Sequence, residues 1–230
     1  MLKKLMTSAG ENLSGTPWTV YPRPQMKRDS YLNLNGSWEF AVEKPDFDGR
    51  TILVPFCPES KLSGVKQHFS EGTALFYSRN VSLPAGFQKD RVLLHIGAAD
   101  QVTDVYVNGQ HIGDHAGGYD AFSFDITDAL GHDNLLEICC RDDLNDQTMP
   151  YGKQTMNRGG MWYTPVSGIW QTVWLESVAD AYIQTLHITN RGYGVEIAIA
   201  PQLEGVIKVA DLGEFPLTHG KAVIAPENPH

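Results

Sequence analysis

The sequence predicts an all-β protein whose main part is a two-sheet antiparallel sandwich of the jelly-roll type. Short apolar runs of four to nine residues recur along most of the chain, and clusters of Gly, Asn, Asp and Pro separate them. Several runs alternate between apolar and polar residues, which is the period of a half-buried strand. No window has the apolar spacing of an amphipathic helix. Many short strands at fairly regular spacing are typical of such sandwiches.

The predicted strands of this sandwich follow one another from the first tryptophan-containing run to the last. They are Trp38–Val42, Leu75–Leu83, Arg91–Ile96, Val102–Asn108, Phe122–Ile126, Leu135–Cys140 and Ile169–Leu175. Asn108-Gly109 separates two of these runs, and this dipeptide favours a type I′ turn because both residues adopt positive φ readily. We therefore expect a tight β-hairpin at Asn108.

The last predicted strand carries an unusual aromatic pattern. Residues 161–176 hold three of the five tryptophans, Trp162, Trp170 and Trp174. Alternation places Ile169 and Val173 on an aliphatic face and Trp170 and Trp174 on the other. Two exposed rings are unfavourable, so a second surface should cover them, either a sugar or another domain. Packing against a neighbouring domain is the more common role of such tryptophans, so all three are candidate domain-packing residues.

The pattern divides the chain into three parts. Residues 1–16 are polar and without periodicity, which predicts a flexible leader. Residues 17–179 form the predicted sandwich and begin with a proline-rich extended arm. Residues 180–230 contain a separate group of alternating runs, Ile183–Thr189, Val195–Ala200, Val206–Leu212 and one near Lys221–Ile224.

Composition excludes several classes of function. The formal net charge of −9 opposes binding to nucleic acid or to an anionic membrane, since both need a basic patch. No long apolar run follows Lys3-Lys4, so we expect neither a signal peptide nor a membrane span. Cys57, Cys139 and Cys140 match no zinc pattern, and neighbouring cysteines on a strand point to opposite faces. Reduced thiols and a cytoplasmic location are therefore predicted.

Several motifs, in one order, resemble glycoside hydrolase family 2, which includes β-galactosidases, β-glucuronidases and β-mannosidases. They cover about residues 17–178, and so many ordered matches are a specific signal. The motifs are Tyr21-Pro22-Arg23-Pro24, Leu34-Asn35-Gly36-Ser37-Trp38-Glu39-Phe40, Val54-Pro55-Phe56-Cys57-Pro58-Glu59-Ser60, Val105-Tyr106-Val107-Asn108-Gly109, Gly117-Gly118-Tyr119, Phe124-Asp125-Ile126-Thr127 and the run from Trp162 to Glu176.

The resemblance implies a galactose-binding-like jelly roll at residues 17–179 and an immunoglobulin-like sandwich after it. Residues 180–230 are only about half of the roughly 100 residues of such a sandwich, so the second domain is either short or incomplete.

The resemblance also implies that catalysis occurs elsewhere. Retaining hydrolysis in this family needs two carboxylates about 5 Å apart, which the family places on a TIM barrel with the acid/base in an Asn-Glu pair. No Asn is followed by Glu in this sequence, and a barrel needs about 250 residues. No alternative catalytic motif is present. We therefore expect no catalytic residue, no cofactor and no metal site in this chain.

One polar cluster is a candidate substrate site. Asp142 and Asp143 follow the predicted strand Leu135–Cys140, and Lys153 and Gln154 lie in the long loop behind them. Loops at sandwich ends project polar groups, and a carboxylate accepts strong hydrogen bonds from sugar hydroxyls. In family β-galactosidases an Asp after the equivalent strand holds the terminal sugar, and Asp143 resembles it by position. An ion pair with Arg141 or Lys153 is the alternative role.

Three functions remain open from the sequence. The first is the non-catalytic sugar-binding and scaffold portion of a retaining β-glycosidase, whose barrel would complete the site for a terminal β-linked sugar. The resemblance leaves open a homo-oligomer of the full-length enzyme. The second is a free-standing carbohydrate-binding module, and the third is an interaction domain whose tryptophan face binds a protein. Galactose and glucuronic acid are the leading sugars.

Overall fold

The computed structural model describes residues 7–144, 148–192 and 194–225. The chain forms two compact units, residues 1–177 and residues 178–230. Helices are few among the described residues: one α-helix, Ser8–Glu11, and two 3-10 turns, Pro24–Met26 and Thr127–Ala129. None of them is long and apolar enough to cross a membrane.

Twelve strands belong to the first unit. They are β1 (Tyr31–Asn33), β2 (Gly36–Val42), β3 (Thr51–Val54), β4 (Ala74–Val81), β5 (Arg91–Ile96), β6 (Ala99–Asp100), β7 (Val102–Val107), β8 (Gln110–Ala116), β9 (Phe122–Asp125), β10 (Asn134–Arg141), β11 (Gly168–Ile169) and β12 (Val173–Val178).

These strands form two main antiparallel sheets. One sheet has six strands in the order β3-β2-β4-β10-β7-β8, and the other has four in the order β1-β12-β5-β9. A short ladder joins β6 to β11. The register places Ile138 opposite Tyr77 on one side and Val105 on the other, so inward residues of adjacent strands form continuous rows. The all-β sandwich that the sequence predicted is confirmed.

The apolar residues between the two sheets form one core. It contains Trp38, Phe40 and Ile52 from β2 and β3, Leu75 and Tyr77 from β4, and Leu94 and Ile96 from β5, all fully or almost fully buried. Burial alternates along the six-stranded sheet, as in β7, where every second residue is buried. Removing this apolar area from water is the main force that holds the two sheets together.

The predicted hairpin is confirmed, and one predicted strand is broken. Asn108 and Gly109 have φ of 53° and 78°, as a type I′ turn requires. The predicted strand Ile169–Leu175 is divided into β11 and β12, because the amides of Trp170 and Gln171 both donate to the carbonyl of Ala98. All six residues of β12 are buried. The Trp174 ring is therefore buried within its own unit.

The structure describes part of the predicted leader and all three cysteines. The leader has a one-turn helix from Ser8, where the Thr7 hydroxyl accepts a hydrogen bond from the Gly10 amide, and residues 1–6 lie outside the described residues. Cys57, Cys139 and Cys140 are free thiols, as predicted.

The second unit is a small β structure. Its strands are β13 (Thr185–Asn190), β14 (Val195–Ala200), β15 (Gly205–Val209), β16 (Gly213–Leu217) and β17 (Lys221–Ile224). One sheet has the order β13-β14-β17, and β15 pairs with β16. Its small hydrophobic core contains the buried residues Ile199, Leu217 and Ala222. Each alternating run predicted after residue 180 overlaps a strand, although Val206–Leu212 extends beyond the end of β15, and β16 was not predicted.

Candidate functional site

The long loop between β10 and β11 is held in place by the side chain of Gln154. This side chain is buried, and its Oε1 accepts a hydrogen bond from the Val166 amide at 2.6 Å. Its Nε2 donates to the Tyr119 hydroxyl at 3.4 Å and also interacts with Asp100. Backbone bonds between Thr155 and Tyr163 and between Tyr163 and Lys153 close the loop on itself. Both ends of the Gln154 amide are therefore engaged inside the protein.

Two neighbouring loops meet at the base of this long loop. Glu59, from the segment after β3, accepts a hydrogen bond from the Ser167 hydroxyl at 2.6 Å and one from the Ser167 amide at 3.2 Å. Burial raises the pKa of Glu59, although the hydrogen bonds from Ser167 oppose that shift. This contact joins segments 108 residues apart in the sequence and forms one wall of a cleft.

Two aspartates place further carboxyl groups at this end of the sandwich. Asp100, at the end of β6, is 3% exposed, and burial raises its pKa to about 6 despite a hydrogen bond from Gln154. Asp142 follows β10, and burial together with the negative charges of Asp100 and Glu59 raises its pKa to about 7. In each aspartate, Oδ1 is buried without a hydrogen-bond partner among the described residues. Burial thus favours the neutral form of both carboxyl groups.

Asp142 lines a narrow cleft at the loop end. The cleft has a volume of about 20 Å³, enough for about one water molecule. Glu59, Glu71, His68 and Ser167 also line it. Among the residues that the structure describes, no group of three or more His, Cys, Asp or Glu is placed to hold a metal ion. Hydroxyl groups of water or of a ligand are suitable partners for these carboxyls.

A wider groove lies next to this cleft, and Leu144 lines both. The groove has a volume of about 260 Å³, and its other lining residues are Tyr151, Gln154, Thr155, Asn157 and Trp162. This volume is close to the lower end of the roughly 300–1,000 Å³ of small-molecule sites. The groove is thus of a size for about one sugar ring.

The predicted substrate residues occupy different positions around the groove. Gln154 lies in its wall, and Asp142 lines the adjoining cleft, whereas Asp143 and Lys153 are exposed. The part of the loop at residues 145–147 lies outside the described residues. Asp142 and Gln154 therefore line two adjoining cavities, the cleft and the groove, which share Leu144 in their walls.

Several large apolar side chains of the long loop are exposed. Trp162 is 40% exposed and Tyr163 is 64% exposed, and Met156 and Met161 are exposed beside them. Trp170 is half-buried, and its Nε1 donates to the Gly118 carbonyl at 2.8 Å. Its ring also meets Tyr119 edge-on at 6.1 Å. Trp162 is thus the tryptophan of this group that lines the groove.

Trp174, in contrast, is covered by its own unit. One contact is with His95, whose ring stacks on it at 4.9 Å, and another is with the Arg23 guanidinium, 5.5 Å from the ring centre. Arg23 comes from the proline-rich arm before β1. The cover that the sequence required for Trp174 is therefore the N-terminal arm.

Beside Trp174, Glu176 forms a buried ionic network that the sequence did not predict. Its fully buried carboxylate accepts hydrogen bonds from Tyr21, from Arg23 at 2.6 Å and from Arg28 at 3.0 Å. His95 Nε2 lies 3.1 Å from Oε2. Burial alone would raise the pKa of Glu176, but these groups hold it well below its usual range. The network fixes the arm and is not part of the groove.

Comparison with known proteins identifies the region that carries the groove. Residues 56–163 match the family described as glycosyl hydrolase 2 galactose-binding domain-like. A beta-galactosidase of Thermoanaerobacter pseudethanolicus is 27% identical over 173 residues, which are 70% of this chain and 22% of that protein. A beta-glucuronidase of Paenibacillus borealis is 28% identical over 151 residues, which are 58% of this chain and 24% of that protein. Over this region the chain is similar to glycosyl hydrolase family 2.

Solved structures agree with this fold. A beta-glucuronidase of Faecalibacterium prausnitzii matches 90% of this chain and 42% of its own, with a TM-score of 0.63 and 22% identity. The chain spans about a quarter of the length of the curated relatives given above. The matched family region includes Glu59, Asp100, Asp142, Gln154 and Trp162, so the groove and the carboxyl groups belong to the galactose-binding-like part.

Sequence reasoning missed Glu59 and Asp100 as members of this site. Glu59 lies within a motif that was recognised, but its contact with Ser167 is made across the fold. Asp100 is next to a buried strand and has no local signal that distinguishes it from a turn residue. The sequence offers one hint, which is that the Asp100 carboxylate directly follows the small apolar stretch Gly97-Ala98-Ala99.

Proposed function

We propose that this chain is the non-catalytic sugar-binding and scaffold portion of a retaining β-glycosidase that removes terminal β-linked sugars. The observation that carries the proposal is the groove beside Asp142 and Trp162, inside the region that matches the family. Relatives of which this chain spans about a quarter are a beta-galactosidase and a beta-glucuronidase. Catalytic carboxylates would lie in a barrel outside this sequence.

In this proposal the loop end supplies one side of the substrate site. Asp142 and Asp143 accept hydrogen bonds from sugar hydroxyls, since charge-assisted bonds of this kind are strong and directional. The exposed ring of Trp162 offers an apolar surface to the C–H face of the sugar. Gln154 positions the loop from within, and Lys153 remains an exposed cation beside it.

The charge of the loop end favours a neutral sugar. Glu59, Glu71 and Asp100 all raise the pKa of Asp142 through their negative charges, so an additional carboxylate would meet repulsion there. Of the two candidate sugars, galactose brings only hydroxyl groups, whereas glucuronic acid brings a charge. We therefore place galactose first.

A cytoplasmic location and a homo-oligomer of the full-length enzyme stay predictions.

The reading frame that continues beyond His230 tests the first part of this proposal. A βα-repeating continuation with an Asn-Glu pair supports it. A stop codon at that position, together with measurable binding of simple sugars at the loop end, would replace it by a free-standing carbohydrate-binding module. Sugar titration of Trp162→Ala against the unaltered chain identifies loop-end binding, because the substitution removes only the exposed ring at the groove.

A further inference from the structure

A second groove lies on the outer face of the six-stranded sheet, away from the loop end. It has a volume of about 280 Å³. Its floor and walls are formed by Phe76 of β4, Tyr106 of β7, and Glu137, Cys139 and Arg141 of β10, and Pro45 and Gly109 also line it. None of these residues lines the cleft or the groove at the loop end.

The register of the sheet explains why these side chains meet. Glu137 pairs with Tyr106 on β7, and Cys139 pairs with Phe76 on β4. Alternate residues of a strand share a face, so the side chains of Glu137, Cys139 and Arg141 all point outward. β4 and β7 lie on either side of β10, which places Phe76 and Tyr106 on strands about 10 Å apart. Two half-buried rings therefore flank a strand that carries polar groups.

The polar groups of this groove are partly fixed in place. Arg141 Nη1 is 3.0 Å from Asp104 Oδ2, and His111 Nε2 is 3.4 Å from Asp104 Oδ1. The His111 ring also contacts the Tyr106 ring at 5.0 Å. Tyr106 and Arg141 are thus held from the side by neighbours on the same face. Because these side chains are already held in place, a ligand that binds here would lose little binding free energy to side-chain ordering.

Glu137 is the polar group that has no such support. Its carboxylate is half-buried in the groove and makes no hydrogen bond or ion pair with the residues that the structure describes. A carboxylate in this position is a strong acceptor that only solvent or a ligand satisfies. A purely apolar ligand would leave the charge unpaired, and an anion would be repelled by it.

A sugar ring has the matching chemistry. Its C–H face packs on an aromatic ring, and hydroxyls at its edge donate to a carboxylate and accept from a guanidinium. We propose that the outer-sheet groove at Phe76, Tyr106, Glu137 and Arg141 is a second carbohydrate-binding site, for a neutral sugar unit. It would hold part of a glycan on the sheet face, separately from the terminal sugar proposed for the loop end.

The test is titration of the 230-residue chain, followed by NMR, with three probes: methyl β-D-galactopyranoside, cellotetraose and β-1,4-galactotetraose. We expect at least one probe to shift the amide signals of β7 and β10. Glu137→Gln should weaken that binding by about tenfold or more, since the substitution removes the charge and keeps the shape. Tyr106→Ala should weaken it similarly, whereas Tyr106→Phe, which keeps the ring, should retain most of it.

Trp162→Ala is the control, and it should leave this binding unchanged. The proposal is overturned if none of the probes binds at millimolar concentration or if binding survives Glu137→Gln. It is also overturned if sedimentation shows a dimer that Tyr106→Ala dissociates, since a second copy of the chain would then cover this face. The loop-end proposal is tested by different measurements, namely sugar binding by Trp162→Ala and the reading frame beyond His230. Its failure would therefore leave the results for Glu137 and Tyr106 unchanged.

Discussion

The Arg23 guanidinium donates a hydrogen bond to the buried carboxylate of Glu176, with Nη2 and Oε2 2.6 Å apart. This bond fastens the proline-rich arm to β12, and the same guanidinium covers the Trp174 ring. The arm is therefore an integral part of the sandwich, held by a buried anion that two arginines and a tyrosine share.

Glu176→Ala should destabilise the chain strongly. Removing the carboxylate leaves Arg23 and Arg28 as partly buried charges without their partner, and breaking a buried ion pair typically costs about 3–5 kcal/mol. Urea unfolding measures the change. Arg91→Gln is the matched control, since it removes an ion pair with Asp125 in which both partners are largely exposed, and such pairs contribute about 0–1 kcal/mol. Equal effects of the two substitutions would contradict the buried network.

Asp142→Asn should stabilise the chain at alkaline pH and not at acidic pH. The folded-state pKa of Asp142 is about 7, above its ordinary value, so its contribution to stability is fully present below about 3.8 and is lost as the pH rises through about 7. The amide cannot ionise and avoids that loss. We expect a gain of about 1–2 kcal/mol at pH 8, discounted for partial solvent exposure, and almost none near pH 4.

The free energy of unfolding at the two pH values checks this. Asp143→Asn is the control, because Asp143 is the exposed neighbour. A stabilisation of Asp142→Asn that is the same at pH 4 and pH 8 would show that burial does not govern its ionisation.

Gln154→Ala should loosen the long loop. The Val166 amide would lose its acceptor, and an unsatisfied buried donor costs about 1–3 kcal/mol. The measurement is hydrogen exchange at the Val166 amide together with the melting temperature. Gln171→Ala, at an exposed amide, should change neither. An unaltered exchange rate in Gln154→Ala would mean that the hydrogen bond does not hold the loop.

Limited proteolysis should cut the long loop before it cuts the strands. Lys153, Arg158, Trp162 and Tyr163 are exposed on this loop, although backbone bonds hold its base. Within residues 17–177 we expect the first tryptic cut after Lys153 or Arg158 and the first chymotryptic cut at Trp162 or Tyr163. Arg158→Gln should remove the corresponding tryptic fragment. An early cut at Tyr106 in β7 would contradict the assigned order of stability.

The strands could be predicted because their signal is local. The predicted Leu75–Leu83 differs from β4 (Ala74–Val81) by a residue or two, since alternation within a few residues determines a strand. The partners of Glu176 could not be predicted, because Arg23 lies 153 residues away in the sequence. The break at Trp170 likewise depends on the carbonyl of Ala98, which belongs to another strand region.

The candidate site shows the same division. The acidic pair at residues 142 and 143 and the loop residue Gln154 were visible as polar residues after a strand. Which of them faces the cleft depends on the segment that brings Glu59 to the same cleft as Asp142, and that arrangement exists only in the folded chain. The roles of the four predicted substrate residues toward a sugar stay predictions: Asp142, Asp143, Lys153 and Gln154.

The chain itself should not hydrolyse nitrophenyl β-galactoside or nitrophenyl β-glucuronide. Hydrolysis with retention needs a nucleophile and an acid/base at about 5 Å separation, and the proposed function places both outside this sequence. A spectrophotometric assay of the repurified chain measures the turnover. Turnover that is lost when a carboxylate of this chain is replaced would show that the catalytic pair lies here.

The most direct test of the account is the kcat/KM of Asp143→Ala in the longer enzyme that the proposed function implies, with the melting temperature of the same variant measured on the 230-residue chain. A bond from Asp143 to a sugar hydroxyl that tightens in the transition state predicts a fall of about 100-fold or more in kcat/KM, or about 3 kcal/mol. The stability of the chain should stay within about 1 kcal/mol, since the side chain is exposed. An unchanged kcat/KM with a clearly lowered melting temperature would make Asp143 a structural residue and contradict the proposed substrate contact.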